Sequence, residues 1–70
     1  MARICAEMAG KVIQVCVQEG DAVSEDQDLI IIESMKMQIP VGAPEEGTVA
    51  KIYVAPDQFL NEGDPIVDLT

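Results

Sequence analysis

The second half of this 70-residue chain repeats the first. Laid over itself with an offset of 37 residues, the separation of Gly10 from Gly47, the sequence runs without a gap to its end. Val12 then meets Val49, Val15 meets Ile52 and Val17 meets Val54. Further on, Val23 meets Leu60, Leu29-Ile30 meets Ile66-Val67, and Ile32 meets Leu69. Running backward, Ile4 meets Val41 and Ala6 meets Ala43. Identities are few, but the apolar positions coincide. Two copies around one small core imply a pseudo-twofold domain rather than a stacked array.

Each copy reads as short strands. The first copy gives 3–6, 11–17 and 29–33; the second gives 39–42, 48–54 and 66–69. Two-residue strands are expected around Val23 and at Phe59-Leu60. Turn signals separate them, at Gly10, Gly20, Asp26, Pro44 to Gly47, Pro56-Asp57 and Gly63. No stretch sustains a helical period, so no helix longer than a turn is expected. The halves also exchange turn residues. Gly20 aligns with Asp57, and Asp26 with Gly63. Gly adopts φ > 0 freely and Asp tolerates it, so all four positions are expected there.

Two small twisted sheets packed face to face satisfy this pattern. The expected core is Val12, Val15, Val17, Val23, Ile30, Ile32, Val49, Ile52, Val54, Leu60, Val67 and Leu69, with Ile31 facing outward because it aligns with Asp68. The offset also pairs Glu33 with Thr70 and Gln38 with Met1. A hairpin in mid-chain thus corresponds to the gap between the termini. The termini are expected to meet at the pole opposite that hairpin.

At the hairpin tip stands Glu33-Ser34-Met35-Lys36-Met37. Hairpin tips ordinarily carry Gly, Asn, Asp or Ser. Here two thioethers flank one amine. The stretch resembles the Glu-(Ala/Ser)-Met-Lys-Met signature of biotinyl domains, the carrier modules of biotin-dependent carboxylases, and the resemblance extends from about Met8 to Leu69. It implies an all-β fold, a flattened eight-stranded barrel-sandwich with the modified lysine on a hairpin turn. It implies biotin, attached covalently to Lys36 by a biotin protein ligase. It also implies shuttling of carboxybiotin between biotin carboxylase and carboxyltransferase sites, commonly with an acyl-CoA as acceptor. Met35 and Met37 would be flanking recognition elements, their soft side chains meeting a ligase pocket and later a carboxylase surface. The plainer reading makes them core methionines placed by hairpin alternation. Glu33 and Ser34 would contribute to the motif more weakly.

The chemistry of the residues agrees with a carrier. An ordinary exposed lysine is protonated at neutral pH, and freeing its lone pair costs about 4.6 kcal/mol. The nearest charge in sequence, Glu33, does not ease that step. Lys36 is therefore read as an acceptor that another enzyme acylates, not as a reagent. No catalytic residue is expected. There is no His and no Cys-x-x-Cys, so a zinc site lacks ligands. Cys5 and Cys16 read as isolated small hydrophobes. Asp21, Glu25, Asp26 and Asp28 lack the spacing of a calcium loop and read as solvated turn charges. Ser34 has no His to activate it.

Thirteen acidic against four basic residues give a net charge of −9. That excludes nucleic acid, which needs clustered Lys and Arg, and disfavours anionic membranes. It favours basic partner surfaces. Aromatics are 3% of the chain, so the core falls to Val, Ile, Leu and Met. No apolar run reaches membrane-spanning length and the first residues lack a secretory pattern, so the cytoplasm is the expected compartment. Residues 1–70 are read as one domain, and the initial Met with the complete repeat points to a separate small protein.

The chain departs from the common pattern in carrying Asp26 and Asp57 where glycine is frequent, and Gln38 after the motif. There is no room between Val17 and Val23 for a protruding thumb. Two alternatives remain open. A lipoyl carrier domain of a 2-oxo acid dehydrogenase-type system has the same fold, but its lysine usually follows Asp and precedes Ala or a β-branched residue. An unmodified barrel-sandwich interaction module would not need a lysine at the tip.

Overall fold

Ile and Val dominate the alternating stretches of both copies, and β-branched side chains pack well on a pleated surface. In the computed structural model, which describes residues 2–70, those stretches form eight strands. They are β1 (Ala2–Cys5), β2 (Gly10–Val15), β3 (Ala22–Val23), β4 (Asp28–Ser34), β5 (Met37–Gly42), β6 (Gly47–Ile52), β7 (Phe59–Leu60) and β8 (Pro65–Leu69). No helix is present among the described residues. Two antiparallel four-stranded sheets result, ordered β1-β8-β6-β3 and β5-β4-β2-β7.

The repeat is carried into three dimensions. The offset that aligns the sequence maps β2 onto β6, β3 onto β7 and β4 onto β8, and places β1 on β5. The turns repeat in detail. Gln18 N–H donates to Asp21 Oδ2 as Ala55 N–H donates to Gln58 Oε1. Ser24 N–H donates to Gln27 Oε1 as Asn61 N–H donates to Asp64 Oδ2. The exchanged turn residues behave as expected: φ is +95° at Gly20, +71° at Asp57, +68° at Asp26 and +91° at Gly63.

The core lies between the sheets. Val12, Leu29, Leu60 and Ile66 are wholly buried, with Val17, Val23, Ile30, Ile32, Val49, Val54, Val67 and Leu69 around them. Two differences from the expected core share one cause. Leu29 and Ile66 are buried beside Ile30 and Val67, although strict alternation would turn one of each pair outward. The β4–β5 ladder shifts register between Asp28 and Ile30, and the β1–β8 ladder shifts at the equivalent place. A bulge inserts an extra residue and lets two neighbours face the core. A second pair of shifts, between Val12 and Gln14 and between Val49 and Lys51, leaves Val15 and Ile52 only half-buried. Those two pack against the core from its margin. Ile31 is half-buried, and its register partners are Gln14 and Pro40.

The connections fix which end is which. A Cβ on Gly10 would stand 2.8 Å from the Glu33 carbonyl oxygen, so the start of β2 abuts the end of β4. Gly47 abuts the Thr70 carbonyl in the same way, at 3.0 Å. Ala6, just beyond β1, exchanges hydrogen bonds with Gly63 and Asp64 ahead of β8. Only Glu7, Met8 and Ala9 separate Ala6 from Gly10. The start of β8 therefore shares a pole with the tip of the β4–β5 hairpin. Its end, where Leu69 pairs with Ala2, lies at the other pole of a body 31 Å long and 17 Å across. Ala2 and Leu69 thus meet far from residue 36. The expected match of Gln38 with Met1 lies outside the described residues.

Candidate functional site

Leu29, Ile30 and Ile32 bury one side of the hairpin, and Ile39 and Val41 return along it half-buried. That anchorage leaves the tip free to serve solvent. Ser34 pairs with Met37, so only Met35 and Lys36 form the turn. Both have positive φ, +54° and +65°. Two central residues with φ > 0 define a type I′ turn, whose twist matches that of the flanking strands. The strands run closer to the tip than the sequence pattern indicates, since β4 includes Ser34 and β5 begins at Met37.

Positive φ at non-glycine residues is unfavourable, by about 1–2 kcal/mol each. Asn-Gly would relieve it. The fold instead holds a methionine and a lysine there, in a turn fixed by the ladder beneath. The side chains are thrust outward. Met35 is 92% exposed and Met37 62%. They are therefore not core methionines. Lys36 is exposed and, among the described residues, has no hydrogen-bond or ion-pair partner. The other cations are engaged. Lys11 lies 3.7 Å from Asp57, Arg3 is bonded to Asp68 at 3.0 Å, and Lys51 sits 5.0 Å from the Tyr53 ring centre.

Glu33 and Ser34 stand just below the tip. Glu33 is exposed between Gln38 and Lys11 across the sheet, and Ser34 is half-buried. The structure thus gathers all five motif residues at one pole, with Met35 and Lys36 at the apex. Gly10 is a supporting residue the pattern marked only as a turn. Its missing Cβ is what lets β2 close against Glu33 just below the hairpin tip. The signal was present in its alignment with Gly47, which plays the same part against Thr70.

At the other pole the chain is tied shut. Arg3 Nε donates to Asp68 Oδ1 and Arg3 Nη2 to Tyr53 Oη, both at 3.0 Å, while Tyr53 Oη donates to Asp68 Oδ2 at 2.6 Å. The hydrogen bonds from Arg3 and then Tyr53 hold the Asp68 carboxyl below its ordinary range. The same hydrogen bond to Asp68 raises the Tyr53 phenol. This network clamps the N-terminal strand to the sheet.

Among the described residues no three His, Cys, Asp or Glu side chains are grouped to hold a metal ion. Cys5 and Cys16 are free and exposed, not buried as small hydrophobes. They stand near the ends of strands that meet solvent on their outer side, where alternation beyond the bulges no longer turns them inward. What the apex offers chemically is one primary amine, exposed on a two-residue turn between two thioethers. That fits an acyl acceptor, which needs an accessible amine and no neighbouring catalytic group. A carboxylic acid joined to it as an amide would have open solvent around it.

Comparison with known proteins shows what the chain as a whole is similar to. The family model described as "Biotin-requiring enzyme", for biotin and lipoyl attachment, matches residues 2–69. A biotin/lipoyl attachment protein of Bacillus subtilis is 37% identical over 67 residues, covering 96% of this chain and 92% of its own length. A biotin carboxyl carrier protein of Streptococcus mutans is 42% identical over 64 residues, 91% of this chain and 49% of that one. The crystal structure of urea carboxylase from Kluyveromyces lactis superposes with a TM-score of 0.92 at 29% identity, over 99% of this chain but 6% of the enzyme. The chain thus spans nearly all of one relative, about half of another, and a small part of the large carboxylase.

Proposed function

The chain belongs to the family of biotin- and lipoyl-attachment domains, and on that premise we propose that it is a biotin carboxyl carrier, with biotin joined as an amide to Lys36 Nζ. The observation that carries the reading is the type I′ apex, where a free lysine stands between two exposed methionines. The relative named a biotin carboxyl carrier protein supports it.

Biotin, when bound, supplies a ureido nitrogen that takes up and gives away a carboxyl group. This chain's residues do the rest of the carrier's work. The β4–β5 hairpin holds the amine at a fixed place at one pole. Met35 and Met37 offer adaptable apolar surface to whichever active site receives the lysine. Glu33 and Ser34 end the ladder so that the turn does not slip. Ala2 and Thr70, at the opposite pole, leave the apex unobstructed for a partner even when the carrier is tethered. A tethered carrier works by raising local concentration at successive sites, not by contributing catalytic groups.

The partners on this reading are a biotin protein ligase, then the biotin carboxylase and carboxyltransferase parts of a carboxylase. The chain acts as a carrier in the cytoplasm and performs no catalysis of its own. No helix among the described residues is long and apolar enough to cross a membrane. The test is competition between two modifying enzymes. The purified chain is incubated in parallel with a biotin protein ligase, biotin and ATP, and with a lipoate ligase, lipoate and ATP, and intact mass is recorded. A biotinyl adduct with no lipoyl adduct is expected. Lipoylation at a comparable or faster rate would overturn the assignment in favour of a lipoyl carrier.

A further inference from the structure

The internal repeat provides a control within one molecule. The two sheets are built alike, so a difference between their outer faces reflects something the fold does not require. Two cross-strand rows differ sharply. In the sheet that bears Lys36, Pro40, Ile31 and Gln14 lie side by side. At the equivalent places on the other sheet lie Arg3, Asp68 and Lys51. One row is a charged network tied to Tyr53, and the other row is uncharged.

The row nearer the apex differs as well. Gln38, Glu33, Lys11 and Phe59 run across β5, β4, β2 and β7, all exposed. The counterparts on the other sheet include Thr70, Thr48 and Ala22. The chain's one phenylalanine is 62% exposed on the Lys36-bearing face, where its mate is alanine. Phe59 lies on β7, two strands from β4, or roughly 10 Å. Ile13, at the bulge of β2, adds to the same sheet at 37% exposure. The core does not need Phe59, and exposing an aromatic ring to water is unfavourable.

We propose that the outer face of the β5-β4-β2-β7 sheet, with Phe59 as an anchor at its β7 edge, is the docking surface for the enzyme that acylates Lys36. The inference rests on the biotin-carrier reading, and it adds where the ligase grips. The unmodified lysine is the short-armed state: four methylenes are all that reach from turn to active site. The acylating enzyme must therefore bring its own surface against the faces beside the turn, whereas a lengthened arm relaxes that demand later. The surface suits a protein with an apolar pocket and a basic rim. Phe59, Met35 and Met37 supply the exposed apolar groups and Glu33 borders them, with Lys11 beside it paired to Asp57, within a chain of net charge −9. Aromatic anchors of this kind carry a large share of interface energy.

The experiment measures biotinylation kinetics of the whole chain against biotin protein ligase, with biotin and ATP saturating. Phe59→Ala is expected to raise the KM for the carrier about tenfold with kcat unchanged, since Phe59 touches no reacting atom. Ala22→Phe, on the opposite sheet, is expected to leave KM unchanged. Thermal melts of both variants confirm that each is folded, which its exposed site favours. An unchanged KM for Phe59→Ala, or an equal change for Ala22→Phe, would overturn the proposal. So would Phe59→Ala slowing only a later carboxylation step, which would assign this face to the carboxylase. Failure of wild-type chain to accept biotin at all is a different result, and it would sink the carrier reading rather than this surface.

Discussion

Replacing Lys36 by glycine should make the protein more stable while destroying its purpose. At φ +65° an L side chain is disfavoured by about 1–2 kcal/mol, and glycine is not. Glycine surrenders more freedom on folding, which offsets about 0.5–1 kcal/mol. Lys36 has no hydrogen-bond or ion-pair partner among the described residues, so no interaction is lost with it. At the midpoints of the two ranges the balance favours Lys36→Gly by about 0.75 kcal/mol. For a domain of this size 1 kcal/mol moves Tm by about 4–8 °C, so a rise of about 3–6 °C is expected. Scanning calorimetry at neutral pH and fixed salt reads it, with urea melts as a second measure. Met35→Asn should add to the gain, because asparagine tolerates the left-handed region and Met35 is 92% exposed. If Lys36→Gly leaves Tm unchanged or lowers it, the turn is not strained and the claim that function holds these residues there is wrong.

Other expectations follow from the same structure. Gly10→Ala should destabilise by about 1–3 kcal/mol in urea melts, since its Cβ would meet the Glu33 carbonyl at 2.8 Å inside a paired ladder; Gly47→Ala, which meets Thr70 at the chain end, should cost less. Leu29→Ala, wholly buried at the bulge, should cost about 2–5 kcal/mol, read by loss of the circular-dichroism transition at ambient temperature. Asp68 has its folded value depressed below 3.8, so its contribution is present at neutral pH and is lost as pH falls through the depressed value. The stability difference between wild type and Asp68→Asn should accordingly shrink toward strong acid, measured by urea melts from pH 7 down to pH 2.

The repeat made most of the fold legible. An offset set by Gly10 and Gly47 and by coinciding apolar positions predicted eight strands and two equivalent halves, and the exchanged Gly and Asp predicted four turn residues of positive φ. Leu29 and Ile66 were not legible as core, because strict alternation has no place for a bulge, and the register shift that buries both Leu29 and Ile30 arises from pairing with β5. The same limit made Val15 and Ile52 look deeper than they are. At the site, the five-residue motif was plain, but the conformation of its tip was not. Nothing in Met-Lys signals a type I′ turn, since the residues that favour that turn locally are absent, and only the ladder from Ser34 to Met37 imposes it. Phe59 read simply as a strand residue; its meaning emerges when the two sheets are compared face by face.

The central claim is that one amine among the chain's lysines is set apart as an acceptor. After incubation with a biotin protein ligase, biotin and ATP, the chain is digested and the adduct located by tandem mass spectrometry. A single biotinyl group on Lys36 is the predicted result, with Lys11 and Lys51 unmodified and Lys36→Arg unlabelled. Label on Lys11 or Lys51, or continued labelling of Lys36→Arg, would contradict it.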